Sequence, residues 1–246
     1  MTDFYKKFLS TSYPDTGSLS IAAFGDSVTH GAFECIEGAP CVFDFEAVYH
    51  NRLRELLCEE KPWMPVSVLN AGIAGDCAKN ALTRIDRDII SHKPDLCIVA
   101  FALNDVNDPL NTYTASLTEI FSRLHGAGIE TVFQTPNMLN TYVRPDTVPM
   151  FRDYAAVTAE YQNSGRMDTY IEAARACATV AGVPVADSSG SPCIKTVQIQ
   201  PPCLQTQSIT PPAGCTACLP KPFIPPSPER SRTYEFSGEN TAHPGI

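Results

Sequence analysis

A three-layer α/β/α sandwich on a parallel sheet of about five strands is the fold this sequence predicts, on three observations. Between residues 17 and 187, short β-type runs alternate with longer stretches of helical period. Glycines stand where a helix ends and the next strand begins. Strand, helix, strand, repeated, implies right-handed crossovers and therefore a parallel sheet covered on both faces.

In chain order the predicted strands are SLSIAAF (18–24), VSVLNA (66–71), DLCIVAF (95–101), IETVFQT (129–135) and VPVA (183–186). The predicted helices between them are FEAVYHNRLRELL (45–57), AKNALTRIDRDIIS (78–91), YTASLTEIFSRLHGA (113–127) and MDTYIEAARACATVA (167–181). In the first helix Phe45, Val48, Leu53, Leu56 and Leu57 make one apolar stripe; in the last, Ile171, Ala174, Ala178 and Ala181 do the same. Gly126, Gly128 and Gly182 are the expected C-caps. Cys97, inside an apolar run, is expected to behave as a small hydrophobe.

Composition narrows the function classes. The chain has 246 residues, 43% apolar and 18% charged, which describes a globular protein and excludes a wholly disordered chain, a collagen-like fibre or a coiled coil. A formal charge of −9 repels phosphate backbones, so no nucleic-acid partner is expected. No apolar run is long enough to cross a bilayer, so no membrane partner is expected either. Residues 1–16 carry Lys6 and Lys7 with no apolar stretch behind them. They read as an N-terminal arm rather than a secretory signal, which makes a cytoplasmic location the expectation. Oligomeric state is left open.

After Asp187 the pattern stops. Residues 188–246 hold 11 of the 21 prolines and four of the ten cysteines, Cys193, Cys203, Cys215 and Cys218. Proline at that density prevents helix propagation and central strands, so this tail is expected to be irregular. Cys215-x-x-Cys218 has zinc-ligand spacing, but nine residues separate Cys193 from Cys203, too many for a matching pair.

Three blocks follow three consecutive strands. The first is Gly25-Asp26-Ser27 with His30 and Gly31 close behind; the second is Asn70-x-Gly72-x-x-Gly75; the third is Asn104-Asp105. A parallel sheet presents such strand-to-helix turns at its C-terminal edge, where α/β proteins bind ligands. A hydroxyl with backbone and amide donors around it is the set that acyl transfer needs. No Gly-x-Gly-x-x-Gly or Walker-type loop follows the first strand, which argues against nucleotide binding. Taken singly, Ser27 is also a fair helix N-cap, Asn104 a fair Asx-turn residue, and the glycines ordinary turn residues.

Together the three blocks, across residues 17–187, resemble the SGNH (GDSL-type) hydrolase family of esterases and lipases. The resemblance implies a flavodoxin-like sheet, with Ser27 as nucleophile. Its oxyanion hole would be the Ser27 N–H, the Gly72 N–H and the Asn104 amide. It implies no cofactor and no metal, and a small-molecule ester as the partner. One residue departs from the pattern: Ala102 stands where the family usually has glycine.

The family's base is a histidine in a C-terminal Asp-x-x-His block, and this chain has none: the residues three before its five histidines are Ser27, Ala47, Ile89, Ser122 and Asn240. His50, His92 and His125 read as structural, and His30 lines the pocket at most. His243 is the remaining C-terminal candidate, and Asp187 either faces the site or caps the segment after it. A slip of frame or a splice artefact would explain the tail. Codons compatible with Cys203–Pro212, read two bases on, encode an apolar-periodic stretch ending in His-Pro. The expected function is hydrolysis of carboxylic esters through an acyl-serine, as in an esterase, lipase or carbohydrate deacetylase, with poor activity in the chain as written. The alternative is a non-catalytic protein that binds a small molecule or carbohydrate, with or without a zinc-binding tail.

Overall fold

The computed structural model describes residues 2–13, 17–36 and 39–189. Its elements run α1 (Asp3–Ser10), β1 (Leu19–Gly25), α2 (Ser27–His30), β2 (Ala32–Ile36), β3 (Ala39–Phe43), α3 (Tyr49–Glu60), β4 (Val66–Gly72), α4 (Ala78–Ala81), α5 (Ile85–Asp88), β5 (Leu96–Ala100), α6 (Leu110–Gly126), β6 (Glu130–Gln134), α7 (Arg152–Asn163), α8 (Arg166–Val180) and β7 (Val185–Ala186). Five parallel strands form one sheet in the order β4-β1-β5-β6-β7. Counting sheet strands alone this is 2-1-3-4-5, the flavodoxin-like order. β2 and β3 pair separately as an antiparallel hairpin.

Alternation along each strand divides the core between two faces. Ala22 and Phe24 of β1, Cys97 and Val99 of β5 and Phe133 of β6 pack with α6 and α8. Leu19, Ile21, Leu96 and Ile98 point the other way, onto Phe4 and Phe8 of α1 and Leu57 of α3. The three-layer expectation holds. Cys97 is fully buried as a core hydrophobe, and burial pushes its thiol pKa up.

Several local expectations change. The described part of the N-terminal arm is helix α1, capped by the Thr2 side chain and seated in the core through Phe4 and Phe8. Lys61 closes its other end, donating to the carbonyls of Phe8, Leu9 and Thr11 at 2.5, 2.9 and 2.7 Å. The helix expected from residue 45 starts at Tyr49, so Phe45 stands outside it and exposed; Leu56, also assigned to the stripe, faces solvent. The helix predicted over 78–91 is broken into α4, α5 and a 3-10 turn. Helix α7 and the hairpin are additions. The inward side of α7 is Ala155, Thr158 and Ala159, too small and polar to print an apolar period. Gly128 and Gly182 do adopt positive φ after their helices, whereas Gly126 is still helical.

Among the described residues no helix is long and apolar enough to span a membrane. His243 and the cysteines Cys193, Cys203, Cys215 and Cys218 lie outside the described residues.

Candidate active site

Strand register builds the site. Gly25 at the end of β1 pairs with Gly72 of β4 on one side and Ala100 of β5 on the other. Three neighbouring strands thus end at one level, and the segments carrying Ser27, Gly75 and Asn104 leave from the same edge.

The turn after β1 is held from both ends. Asp26 caps α2, its Oδ1 accepting the Val28 N–H at 3.0 Å, and Gly31 closes it in the left-handed region with φ 106°. This turn rests directly on glycine. A Cβ at Gly72 would lie 2.2 Å from the His30 nitrogen, and one at Gly25 would lie 2.1 Å from Thr29 Oγ1. Only a residue without a side chain permits that approach.

Ser27 is 1% exposed, and its hydroxyl has no hydrogen-bond partner among the described residues. Buried polar atoms are paired in the great majority of cases, so each exception asks for a reason. Among the described side chains there are three: Ser27 Oγ, Asp105 Oδ2 and His50 Nδ1. Two of the three belong to the motif blocks. Asp105 Oδ1 does accept the Ala78 N–H, at 2.8 Å. Burial pushes the pKa of Asp105 up to about 7, and the charges of Asp108 and Asp76 add to this. Burial raises Asp26 to about 7 as well, with Asp105 and Asp76 contributing.

The expected oxyanion donors differ in availability. Asn104 Nδ2 donates to the Asp76 carbonyl at 2.8 Å, which fixes the amide and leaves its second hydrogen. The Gly72 N–H is engaged, donating to Asn70 Oδ1 at 3.0 Å, and Gly72 serves chiefly as the surface on which α2 sits. Gly75, three residues on, has φ 81° and open space beside it, and its N–H has no acceptor among the described residues. Ala102 is fully buried.

No described histidine is hydrogen-bonded to Ser27. His30 accepts the Ala74 N–H at Nδ1, 3.2 Å away, so its proton sits on Nε2; the ring packs on Phe43 with centroids 4.5 Å apart. His50 is buried, donates from Nε2 to the Thr29 carbonyl at 3.1 Å, and has its pKa lowered by burial. His92 and His125 are on the surface. Asp187 behaves as a cap: it accepts from Ser189, Arg175 and Thr135, and these bonds, Ser189 first, hold its pKa below the usual carboxylate range. Among the described residues no group of side chains is arranged to hold a metal ion.

Sequence reasoning passed over Arg84. It is 7% exposed and forms a buried ion pair with Asp76. The available signal was its position: three residues after Ala81 and one before Ile85, it falls on the apolar face of the predicted helix.

A three-layer α/β/α fold with a flavodoxin-like sheet and a Gly-Asp-Ser turn after its first strand is the arrangement of the Gly-Asp-Ser class of hydrolases. The family model of the GDSL-like Lipase/Acylhydrolase family matches residues 23–205, and the chain belongs to that family. An arylesterase from Vibrio mimicus is 28% identical over 109 residues, 44% of this chain and 54% of that protein, so the chain spans about half the length of the curated relative it matches. A lipase/acylhydrolase from Enterococcus faecalis superposes with a TM-score of 0.55 at 21% identity, covering 76% of this chain and 87% of its own. An acetylxylan esterase from Geobacillus stearothermophilus does so with a TM-score of 0.52 at 20% identity, covering 76% and 83%. These likenesses show the fold.

Proposed function

We propose that this chain hydrolyses carboxylic esters through an acyl-serine formed on Ser27. The observation that carries the reading is the buried, unpartnered Ser27 hydroxyl at the point where three strands end. Attack by Oγ on the ester carbonyl places negative charge on the carbonyl oxygen. The Ser27 N–H and the free hydrogen of Asn104 Nδ2 would receive it. For the third donor Gly75 is the better candidate than Gly72, because the Gly72 N–H already has a partner. The names of the arylesterase and acetylxylan esterase that resemble this chain make aryl and acetyl esters the substrates to try first.

A serine hydroxyl is a weak nucleophile without a hydrogen-bonded base. The described histidines do not supply one, and His243 is the remaining C-terminal candidate on a tail that the frame-slip reading would replace, so the chain as written should work slowly with or without it. Serine hydrolases stripped of triad members still keep roughly 10³–10⁴-fold acceleration over water. The test is turnover of a short aryl ester, with fluorophosphonate labelling read by mass spectrometry, for the chain and its Ser27→Ala, Asn104→Ala and His243→Ala variants. Ser27→Ala should abolish labelling, and Asn104→Ala should lower turnover by roughly 10²–10³-fold. Labelling that survives Ser27→Ala removes Ser27 as the nucleophile. The chain and its His243→Ala variant should be alike and slow; brisk turnover that His243→Ala abolishes would make His243 the base and end the frame-slip explanation of the tail.

A further inference from the structure

We infer that Arg84 is the positioning residue that holds the nucleophile turn and the oxyanion segments in register, an inference that rests on the hydrolase reading of the same site. All five N–H donors of its guanidinium are used. Nε and Nη2 donate to Asp76 Oδ2 at 2.8 and 2.6 Å. Nη1 donates to the Ala71 carbonyl at 2.8 Å and to Asp88 Oδ2 at 3.1 Å, and Nη2 also reaches the Gly25 carbonyl at 3.3 Å. The guanidinium carbon lies over the Phe24 ring, 4.6 Å from its centroid.

The choice of acceptors is what points to function. Gly25 is the last residue of β1, next to Asp26 and Ser27. Ala71 immediately precedes Gly72, in the block that continues to Gly75. Asp76 takes the guanidinium on its side chain while its own carbonyl accepts from Asn104 Nδ2 at 2.8 Å. One planar cation therefore ties the serine segment to the glycine segment directly, and reaches the asparagine segment through Asp76, whose carbonyl holds Asn104. A second tie runs the same way, the Ile73 N–H donating to the Gly25 carbonyl at 3.1 Å. Burying an ion pair carries a desolvation cost that well-packed hydrophobic residues avoid, so a buried arginine is weak evidence of a stability role. Geometric specificity is the better account, and a planar fork provides it where an ammonium does not. The break between α4 and α5 falls at Arg84, whose φ of −121° and ψ of −6° lie outside the helix.

The test compares the full chain with Arg84→Gln and Arg84→Lys. Hydrogen exchange read by mass spectrometry should rise at least tenfold together in peptides spanning 25–31, 70–76 and 102–108, with the 130–134 peptide unchanged. Ester turnover should fall at least thirtyfold in kcat with KM within twofold, and Arg84→Lys should restore neither. If Arg84→Gln does not fold, Arg84→Lys carries the same comparison. Exchange that stays at the wild-type rate in any of the three segments, or a kcat within threefold of wild type, overturns the inference. A wild-type chain no faster than Ser27→Ala would instead sink the hydrolase reading, and the exchange data would still decide whether Arg84 braces the three segments.

Discussion

Replacing Gly72 by alanine tests the close seating of the nucleophile turn on β4. The added Cβ would stand 2.2 Å from the His30 nitrogen, 2.5 Å from the Thr29 carbonyl carbon and 2.7 Å from the His30 Cα, all backbone atoms that no rotamer change can move. Ordinary contact begins near 3.4 Å, so the turn must retreat by about 1.2 Å or β4 must bend. Overpacking of this kind costs about 1–3 kcal/mol. At about 2–4 °C per kcal/mol for a domain of this size, the melting temperature should fall by about 2–12 °C. The retreat also moves Ser27, and a displacement near 1 Å is enough to cost about 10²-fold in rate. Differential scanning fluorimetry gives the first number, and the rate of fluorophosphonate labelling at Ser27 gives the second. Gly126→Ala is the control: nothing lies within 4 Å of its added carbon and its backbone is helical. A Gly72→Ala protein that melts within about 1 °C of wild type would refute the seating argument.

Other outcomes arise from the core and its charges. Phe8→Ala empties a fully buried site between α1 and the sheet, and denaturant unfolding should show a loss of about 3–5 kcal/mol; a loss under about 1 kcal/mol would mean that α1 is not part of the core. Asp26 and Asp105 keep their protons up to about 7 when folded, against about 3.9 when unfolded. The folded state therefore binds more protons between those values, and stability should fall as pH rises from about 4 to about 7, then level off. Asp105→Asn should flatten that slope in melts taken from pH 4.5 to 7.5, and an unchanged slope would remove Asp105 as its source. The family match ends at residue 205, two residues past Cys203. Sequencing the transcript across codons 188–246 should show a slip near that codon which opens a His-Pro block; an intact frame would end that explanation of the tail.

Much of this fold was legible because it is written in periods. The sheet places the five runs within a residue or two of expectation; β1 and β5, central and buried on both faces, admit few polar side chains, while the edge runs β4 and β7 were marked by their β-type residues and the glycines and prolines around them. The serine, glycine and asparagine blocks were legible because each follows its own strand. What escaped was set by tertiary contacts. Helix α7 buries alanine and threonine, and α1 reaches the core through Phe4 and Phe8 alone, too little to register as a stripe. The availability of Gly72 was equally hidden, since only coordinates show its N–H turned to Asn70. Arg84 stood in plain view on an apolar face, where a charge needs partners that composition does not name.

Helix α1 also sets a timetable. The Phe4 N–H donates to Glu130 Oε2, 126 residues further on, and Phe8 packs against Leu96 and Ile98. Loop closure over such separations is slow and comes late. Chains grow at about 5–20 residues per second, so α1 leaves the ribosome on the order of ten seconds before the last of the strands it will cover. During that wait Phe4 and Phe8 lack the strand residues that bury them in the finished fold. The residues of α1 are thus made before the strands they cover and committed after them, and changes in this helix should alter folding yield during synthesis more than they alter the finished site.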